Sequence, residues 1–299
     1  MHVSGTITPM ITPTTGELNV DTESLQEFTE FLTRSGVDGL IPTGTTGEFT
    51  SLGRDQRRTV IGTVVEHSAN RPVLAGCGGT AVQSVRHYIN DAADVGADAA
   101  VVVTPYYQDT THESVVRFYE AVAANSPLPI YLYNIPQFTG NHLKPKTVVQ
   151  LADHPNIVGI KDSSGDFNLF MDFLDKTPRS FDVVQGIPTY SLLSLEHGAD
   201  GLIAGPSNVF PQAVSELYDA YENGNDDRAR ERLSGVLLPI LQSTQSMPMV
   251  SALRHLSAKA GRDLGDPLPP LPDLTPRQRD KLDDCFQTIT TTKLNTTGD

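Results

Sequence analysis

The feature that most constrains the fold is a repeated phrase in which a helical segment stops at a glycine and the chain turns through aspartate into an apolar run. The phrase occurs as Ser35–Gly39, Val95–Ala99 and His197–Gly201. The glycine suits the left-handed end of a helix, and the residues after the aspartate are typical of a buried strand. The repeat therefore predicts a chain built from successive helix-to-strand units.

Eight apolar, β-branched runs recur along the chain, and the segments between them carry apolar residues at helical spacing, as after Asp21, which suits a helix N-cap. Eight such units in roughly 220 residues predict an α/β fold, a closed (β/α)₈ TIM barrel. An open doubly wound sheet is the alternative, but it usually has fewer strands and a glycine-rich phosphate turn after the first one. The predicted strands are Gly5–Pro13, Val37–Pro42, Pro72–Ala75, Ala99–Val103, Pro129–Tyr133, Ile157–Ile160, Phe181–Val184 and Asp200–Ala204.

The pattern changes after residue 224, where predicted helices follow one another with no strand between them. These helices cover Asp227–Leu241, Met249–Ala260 and Pro276–Thr288. We therefore predict a barrel catalytic domain over residues 1–224 and a C-terminal helical region over residues 225–299, of which residues 295–299 are expected to fray.

The net charge of −14 limits the partners that the chain can have. Phosphate backbones require basic patches, so no nucleic-acid partner is expected. No apolar run approaches the ~18 residues that span a bilayer, and the first residues lack a signal-peptide pattern. A cytoplasmic protein without membrane contact is therefore expected. The spread of carboxylates is compatible with a halophilic protein in a salt-rich cytosol and, equally, with an ordinary acidic protein.

Lys161 follows the sixth predicted strand and shares a predicted face with Ile157 and Gly159. Burying an unpaired ammonium is costly, and desolvation favours the free amine, which is a nucleophile toward carbonyls. A single lysine in this position is more often a solvated surface residue. Here other strand ends carry further polar residues, and the active sites of barrel enzymes lie at those ends. We therefore predict that Lys161 is a catalytic nucleophile.

The neighbouring strand ends supply candidate partners for this lysine. Gly44–Gly47 can expose backbone N–H groups and bind a carboxylate, although a plain turn has the same composition. Tyr133 shares strand parity with Tyr131, and a tyrosine facing an amine inside a barrel can shuttle protons; a packing role is the simpler alternative. Two cysteines and eight scattered histidines show no metal-ligand spacing and no grouping with carboxylates, so no metal site is expected.

Four motifs, taken in order along the chain, resemble those of the dihydrodipicolinate synthase/N-acetylneuraminate lyase family. They are GTTGE, TPYY, YNIP and KDSSGD, at Gly44–Glu48, Thr104–Tyr107, Tyr133–Pro136 and Lys161–Asp166. The resemblance covers nearly the whole chain. The motifs are specific for the family and not for the substrate.

The resemblance implies a lyase of the class I aldolase type, in which Lys161 forms a Schiff base with pyruvate or another 2-keto acid and no metal or organic cofactor is needed. It implies that Tyr133 and Thr45 move protons, and that Tyr107 enters from a neighbouring subunit of a homotetramer. Thr46 is expected to hold the carboxylate of pyruvate. Further contacts to the keto acid and the aldehyde are expected from Gly186, Ile203, Phe138 and Ser207.

One position departs from the family pattern. Dihydrodipicolinate synthases carry an arginine shortly after the Tyr-Asn-x-Pro motif, where it binds the carboxylate of aspartate semialdehyde, and this chain has Phe138 in that segment. A phenyl ring offers no bidentate contact to a carboxylate. Gly205–Asn208 and Thr139 offer hydroxyl and amide groups that suit a polyhydroxylated aldehyde. We therefore predict an aldolase that cleaves 2-keto-3-deoxygluconate to pyruvate and glyceraldehyde.

Four alternatives stay open on the sequence. N-acetylneuraminate lyase, dihydrodipicolinate synthase and a sugar-acid dehydratase belong to the same family. A non-catalytic sugar-acid-binding protein belongs to a different class, and it would be expected to lack Lys161 or Tyr133. Both residues are present.

Overall fold

Eight parallel strands form the centre of the molecule in a computed structural model, which describes residues 2–295. They pair in the order two, one, eight, seven, six, five, four, three. The outermost two, the second and third, meet through a parallel bridge between Leu40 and Val73 and so nearly close the barrel. The predicted TIM barrel is confirmed. The strands are β1 (Gly5–Pro9), β2 (Gly39–Ile41), β3 (Leu74–Gly76), β4 (Ala99–Val103), β5 (Ile130–Asn134), β6 (Ile157–Asp162), β7 (Asp182–Gln185) and β8 (Gly201–Ile203).

Helices lie between the strands and surround the barrel. Asp21 caps the first helix, as predicted, because its side chain accepts a hydrogen bond from the Ser24 N–H at 3.1 Å. A short helix directly after β5 carries Phe138 and was not predicted from the sequence. The helices are α1 (Thr22–Arg34), α2 (Arg54–His67), α3 (Val82–Asp94), α4 (His112–Ala123), α5 (Pro136–Thr139), α6 (Pro145–Ala152), α7 (Phe167–Lys176), α8 (Ser191–Glu196) and α9 (Pro211–Glu222).

Four helices make up the C-terminal region: α10 (Asp226–Arg232), α11 (Leu238–Thr244), α12 (Met249–Lys259) and α13 (Pro276–Asn295). A π-helical turn, Leu233–Leu237, joins α10 to α11. Pro239 follows this turn and lacks an N–H for the normal helical bond, which favours a wider turn before it. The expected fraying concerns mainly residues 296–299, which lie outside the described residues. None of the described helices is long and apolar enough to cross a membrane.

The barrel and the C-terminal helices share one apolar core. A single buried cluster extends from Met10, next to β1, through α1 and α9 to Leu253 in α12 and Ile289 in α13. A division of the chain after residue 224 stays a prediction, and the core continues across that point. Side chains of the C-terminal helices are thereby placed at the end of the barrel where the strands finish.

The sixth strand does not alternate as the sequence predicts. Its pairing with β5 shifts register so that Ile130 pairs with Ile157 while Tyr131 pairs with Gly159. Ile157 therefore packs with the outer helices, and the prediction that it shares the face of Lys161 is wrong. The bulge leaves Gly159 under the Tyr131 ring, where an added Cβ would lie 2.5 Å from a ring carbon. A larger residue there would displace the ring.

Candidate active site

Lys161 lies inside the barrel near the C-terminal end of β6. Only 5% of the residue is exposed, and its Nζ lies 4.2 Å from the centre of the Tyr133 ring. Strand pairing sets Lys161 between Tyr133 on β5 and Val184 on β7. No carboxylate of residues 2–295 forms an ion pair with it. A buried amine that faces an aromatic ring and lacks a counterion is suited to attack a carbonyl.

The Tyr133 hydroxyl lies 3.3 Å from Thr45 Oγ1, and either group can donate the hydrogen bond. The two residues come from β5 and from the loop after β2, so the fold joins groups that are 88 residues apart. Tyr131 faces the same interior, as the shared parity predicts. The pair can carry a proton between the barrel interior and the loop.

The loop after β2, Gly44–Glu48, is tightly folded. The Glu48 N–H donates to the Thr45 carbonyl at 3.2 Å, and the Phe49 N–H donates to the Gly44 carbonyl at 3.3 Å. An added Cβ on Gly47 would lie 3.0 Å from the carbonyl oxygen of Met10, so the loop needs glycine there. This packing leaves Thr45 and Thr46 facing the same cavity as Lys161.

That cavity, which we call the lysine cavity, has a volume of about 240 Å³ and opens at the C-terminal end of the barrel. Of the described residues that line it, only Lys161 carries a charge. Gly186 is on its wall, where an added Cβ would collide with Ser163 Oγ and lie 2.8 Å from the Asp162 carbonyl. The residues that face it include the predicted set Thr45, Thr46, Tyr133, Phe138, Lys161, Gly186 and Ile203.

Asp162 holds the strand ends beside the lysine. Its carboxylate accepts hydrogen bonds from Asn134 Nδ2 at 2.7 Å and from Ser164 Oγ at 2.8 Å, and its carbonyl accepts from the Gly186 N–H at 2.7 Å. Burial raises the pKa of the Asp162 carboxyl to about 6, against these hydrogen bonds, which lower it. The side chain and the backbone carbonyl of Asp162 together join β5, β6 and the residue after β7 where the strands reach the cavity.

Three predicted hydroxyl and amide contacts are not brought to the lysine cavity. Ser207 is 1% exposed and donates to the Ala204 carbonyl. Asn208 is fully buried, and its side chain bonds the backbone of Ile11, Pro9 and Gly205. The Thr139 hydroxyl lies 3.1 Å from that of Thr104, away from the lysine. The Ser207 hydroxyl thus does not face the lysine cavity, because the short turn after β8 uses it to pair its own backbone. Its contact with substrate stays a prediction that this geometry does not support.

Tyr107 and Phe138 lie at the surface. Tyr107 is 92% exposed, its φ angle is +80°, and it does not line the lysine cavity of its own chain. A positive φ angle is strained for a bulky residue. Phe138 is 64% exposed and stands at the mouth of the cavity. The single chain thus assembles every predicted catalytic group except Tyr107.

The Dihydrodipicolinate synthetase family profile matches residues 2–289 of the chain. The chain belongs to this family. A 4-hydroxy-tetrahydrodipicolinate synthase of Methanopyrus kandleri is 35% identical over 277 residues, which are 90% of this chain and 91% of that protein. The sequence motifs thus identified the family correctly.

Two solved structures of the family are similar along almost their whole length. A dihydrodipicolinate synthase of Bacillus anthracis has a TM-score of 0.92 at 28% identity and covers 96% of this chain and 99% of its own. A family member encoded by a prophage of E. coli K12, solved in complex with pyruvate, has a TM-score of 0.91 at 30% identity and covers 96% and 98%.

Membership of the dihydrodipicolinate synthetase family establishes the reaction class. The chain is a pyruvate-dependent carbon–carbon lyase, an aldolase of class I. Such enzymes form a covalent Schiff base between a lysine and the keto acid and use no external cofactor, because the protonated imine accepts the electrons of the broken bond. The alternative of a non-catalytic binding protein is therefore not retained.

Sequence reasoning missed the part that the C-terminal helices play in the cavity. Thr244 of α11 and Met249 and Leu253 of α12 line it, together with Ile240 and Leu241. Gln137, Ser163 and Thr189 supply polar groups on the barrel side. Gln137 directly follows the YNIP motif and Ser163 lies within the KDSSGD motif, so both were open to prediction from their positions. Nothing in the helical pattern of residues 225–299 indicates a face turned toward a site.

Proposed function

We propose that the chain reversibly cleaves 2-keto-3-deoxygluconate to pyruvate and glyceraldehyde. The observation that supports this substrate is the charge of the lysine cavity: among its described lining residues Lys161 is the only charged one. Imine formation uses this amine to bind the keto carbon. The described lining then offers no second cation to the aldehyde, and a neutral hydroxylated aldehyde needs none.

In the proposed reaction Lys161 Nζ attacks C2 of the keto acid. The C2 oxygen leaves as water with the proton of the Tyr133 hydroxyl, so that a protonated imine and a Tyr133 phenolate form. Tyr133 takes the proton from the C4 hydroxyl, the bond between C3 and C4 breaks, and its electrons pass to the iminium nitrogen. Glyceraldehyde is released. Tyr133 returns the proton to C3, and hydrolysis of the imine frees pyruvate and the lysine. Thr45 relays protons to Tyr133, and Thr46 binds the pyruvyl carboxylate.

The polar wall of the cavity supplies contacts for the hydroxyl groups of the aldehyde. Ser163, Thr189 and Gln137 line the cavity and take the role that the sequence assigned to Ser207. The Gln137 amide already donates to the Ser163 carbonyl at 3.0 Å, which leaves its oxygen free to accept from a hydroxyl.

Tyr107 completes the site from another subunit in this proposal. Its exposed ring and strained backbone are compatible with a residue that is ordered by a partner. We propose a homotetramer, as the resemblance to the family implies, in the cytoplasm; adaptation to high salt stays a prediction of the composition. Mixing Tyr107→Phe subunits with Lys161→Ala subunits should restore part of the activity that each variant lacks. No recovery in mixed oligomers would place Tyr107 outside the site.

A second candidate function is 4-hydroxy-tetrahydrodipicolinate synthesis, which the names of the M. kandleri relative and the B. anthracis structure favour. The test is a side-by-side condensation of pyruvate with glyceraldehyde and with aspartate semialdehyde. We expect a higher kcat/KM with glyceraldehyde. Preference for aspartate semialdehyde would overturn the proposal and support the second candidate. Two further assays test the remaining alternatives. Condensation of pyruvate with N-acetylmannosamine tests for an N-acetylneuraminate lyase. Water loss from 2-keto acids without release of pyruvate tests for a dehydratase.

A further inference from the structure

One buried ion pair connects the C-terminal helices to the catalytic loop. Arg254 of α12 donates to Oε1 of Glu48 from Nε at 3.1 Å and from Nη2 at 2.5 Å. The two side chains are 4% and 0% exposed, and no other ion pair of the described residues is buried on both sides. Glu48 directly follows Thr45, Thr46 and Gly47 in the chain.

The ion pair is part of a network that fixes the loop from two directions. The second oxygen of Glu48 accepts from the Leu268 N–H at 2.6 Å. Arg254 Nη2 also donates to the Thr12 carbonyl at 2.7 Å, and the Thr12 hydroxyl donates to the Gly47 carbonyl at 2.9 Å. The carboxylate and the backbone of the loop are thus both attached to the same guanidinium, directly or through Thr12.

Stability alone does not account for this pair. Burying two charges is costly, and replacing a buried ion pair by apolar residues is often neutral or stabilising. Glu48 also adopts a left-handed backbone, with φ of +58°, which L-residues other than glycine rarely do. An unfavourable backbone held by a charged, fully bonded side chain gives the loop a single conformation.

We propose that Glu48 and Arg254 are positioning residues for the imine site. They hold the loop so that Thr46 meets the carboxylate of the keto acid and Thr45 stays within reach of the Tyr133 hydroxyl. The inference rests on the roles proposed above for these two threonines. Helix α12 then has two functions, since Met249 and Leu253 form cavity wall while Arg254 holds the loop. The C-terminal helices are part of the catalytic unit.

The test uses borohydride trapping of the full-length protein with pyruvate alone, over a series of pyruvate concentrations. The variants are Arg254→Met, Arg254→Lys and Glu48→Gln. Arg232→Met is the matched control, because Arg232 in the same helical region donates to Glu216 of α9 at 2.6 Å and does not touch the loop. Far-UV circular dichroism and Tm show that each variant is folded at the assay temperature.

We expect the half-saturating pyruvate concentration to rise about tenfold in Arg254→Met and Glu48→Gln, the effect of weakening one hydrogen bond to a charged group. Arg254→Lys should recover part of this loss. Arg232→Met should lower Tm without changing the half-saturating pyruvate concentration. If Arg254 had only a structural role, Arg254→Met would behave in the same way.

An unchanged half-saturating concentration in folded Glu48→Gln would overturn the proposal, and so would an equal rise in Arg232→Met. Glu48→Gln keeps the shape of the side chain. If Arg254→Met does not fold, the half-saturating pyruvate concentration of Glu48→Gln is the result that tests the proposal. The assay contains no sugar acid, so failure of 2-keto-3-deoxygluconate as a substrate leaves this result standing.

Discussion

The barrel interior contains two tyrosines that lie two residues apart on β5 and differ in how their hydroxyls are paired. The Tyr131 hydroxyl donates to the Asp182 carboxylate, whereas the Tyr133 hydroxyl has Thr45 at 3.3 Å and faces the lysine cavity. Burial, and then the bond to Asp182, raise the pKa of Tyr131 well above its usual range. One strand thus serves two chemically different ends of the barrel.

The end that contains Tyr131 is closed by polar groups that pair with one another. Asp182 accepts from the Val3 N–H at 2.8 Å and contacts His2, while Asp200 accepts from the Val183 N–H at 2.7 Å. His2, Asp182 and Asp200 bring three possible metal-ligand atoms within 4.8 Å. The sequence indicated no histidine–carboxylate grouping, because these residues are distant in the chain. Their oxygens already accept hydrogen bonds, which suits a structural closure.

The comparison shows how the same residue types hold the fold at one end and act on a substrate at the other. Buried polar groups in proteins are normally paired, and the Tyr131 end follows this rule. Around Lys161 the hydroxyls have few protein partners and a cavity beside them. Functional sites are places where a chain leaves polar groups without the protein partners that they normally have.

The largest effect in this comparison is expected at Lys161. Lys161→Ala should abolish both the pyruvate adduct after borohydride reduction and all turnover, because no other amine of the described residues lines the cavity. Peptide mass spectrometry locates the adduct. Lys176→Ala is the control, since Lys176 lies on the surface and pairs with Asp172. A reduced adduct on any other lysine would contradict the assignment.

The two tyrosines should respond to the same substitution in opposite ways. Tyr133→Phe should lower the rate of carbon–carbon cleavage by ~10²-fold or more, the usual effect of losing a general acid or base, while pyruvate trapping and Tm persist. Tyr131→Phe should leave kcat nearly unchanged and lower the free energy of unfolding by about 1–3 kcal/mol, because Asp182 loses a buried donor.

Kinetics and urea unfolding of both variants measure the contrast. Equal loss of activity in the two variants would mean that the barrel ends are not functionally distinct. A Tyr133→Phe enzyme with wild-type turnover would reduce Tyr133 to a packing role.

The sequence predicted the catalytic end of the barrel better than the closed end, for a physical reason. Lys161, Tyr133 and Thr45 stand at strand ends within short motifs, so the barrel topology alone brings them together. Asp182 and His2 carry no local pattern, and only their burial and their mutual hydrogen bonds show their role.

Two further misses arise from local structure that residue patterns do not encode. The bulge in β6 shifted Ile157 outward because a strand pattern assumes strict alternation. Ser207 was assigned to the substrate because its position after β8 was right, but the turn used its hydroxyl for the backbone. The part played by Arg254 depends on a contact with Glu48 across 206 residues, which no single-sequence pattern reveals.

The next effect concerns the aldehyde side of the lysine cavity. Phe138→Arg places a cation at the mouth, where a carboxylate-bearing aldehyde is expected to bind, and should raise kcat/KM for aspartate semialdehyde by about tenfold. Activity with glyceraldehyde should change little. Phe138→Met is the matched control without charge. Equal gains for both variants would attribute the effect to space and not to charge.

The last effect concerns stability and not activity, and it is a pH dependence that originates at Asp162. Its folded-state pKa of about 6 lies above the ordinary aspartate value of 3.8, so the native protein holds this proton more tightly than the unfolded chain does. The resulting stabilisation is complete below the unfolded-state pKa and is lost as the pH rises through about 6. A shift of this size corresponds to about 3 kcal/mol.

Asp162→Asn removes this titration while keeping the size of the side chain. The difference between the Tm of this variant and that of the wild type should therefore become more positive by a few degrees from pH 4 to pH 7. The lost carboxylate acceptor lowers the Tm of the variant by the same amount at every pH and does not change this trend. The trend should persist in 1 M KCl, because the carboxyl is buried and poorly screened. A Tm difference that stays constant over this pH range would show that Asp162 is already ionised at pH 4, and that its bonds to Asn134 and Ser164 outweigh burial.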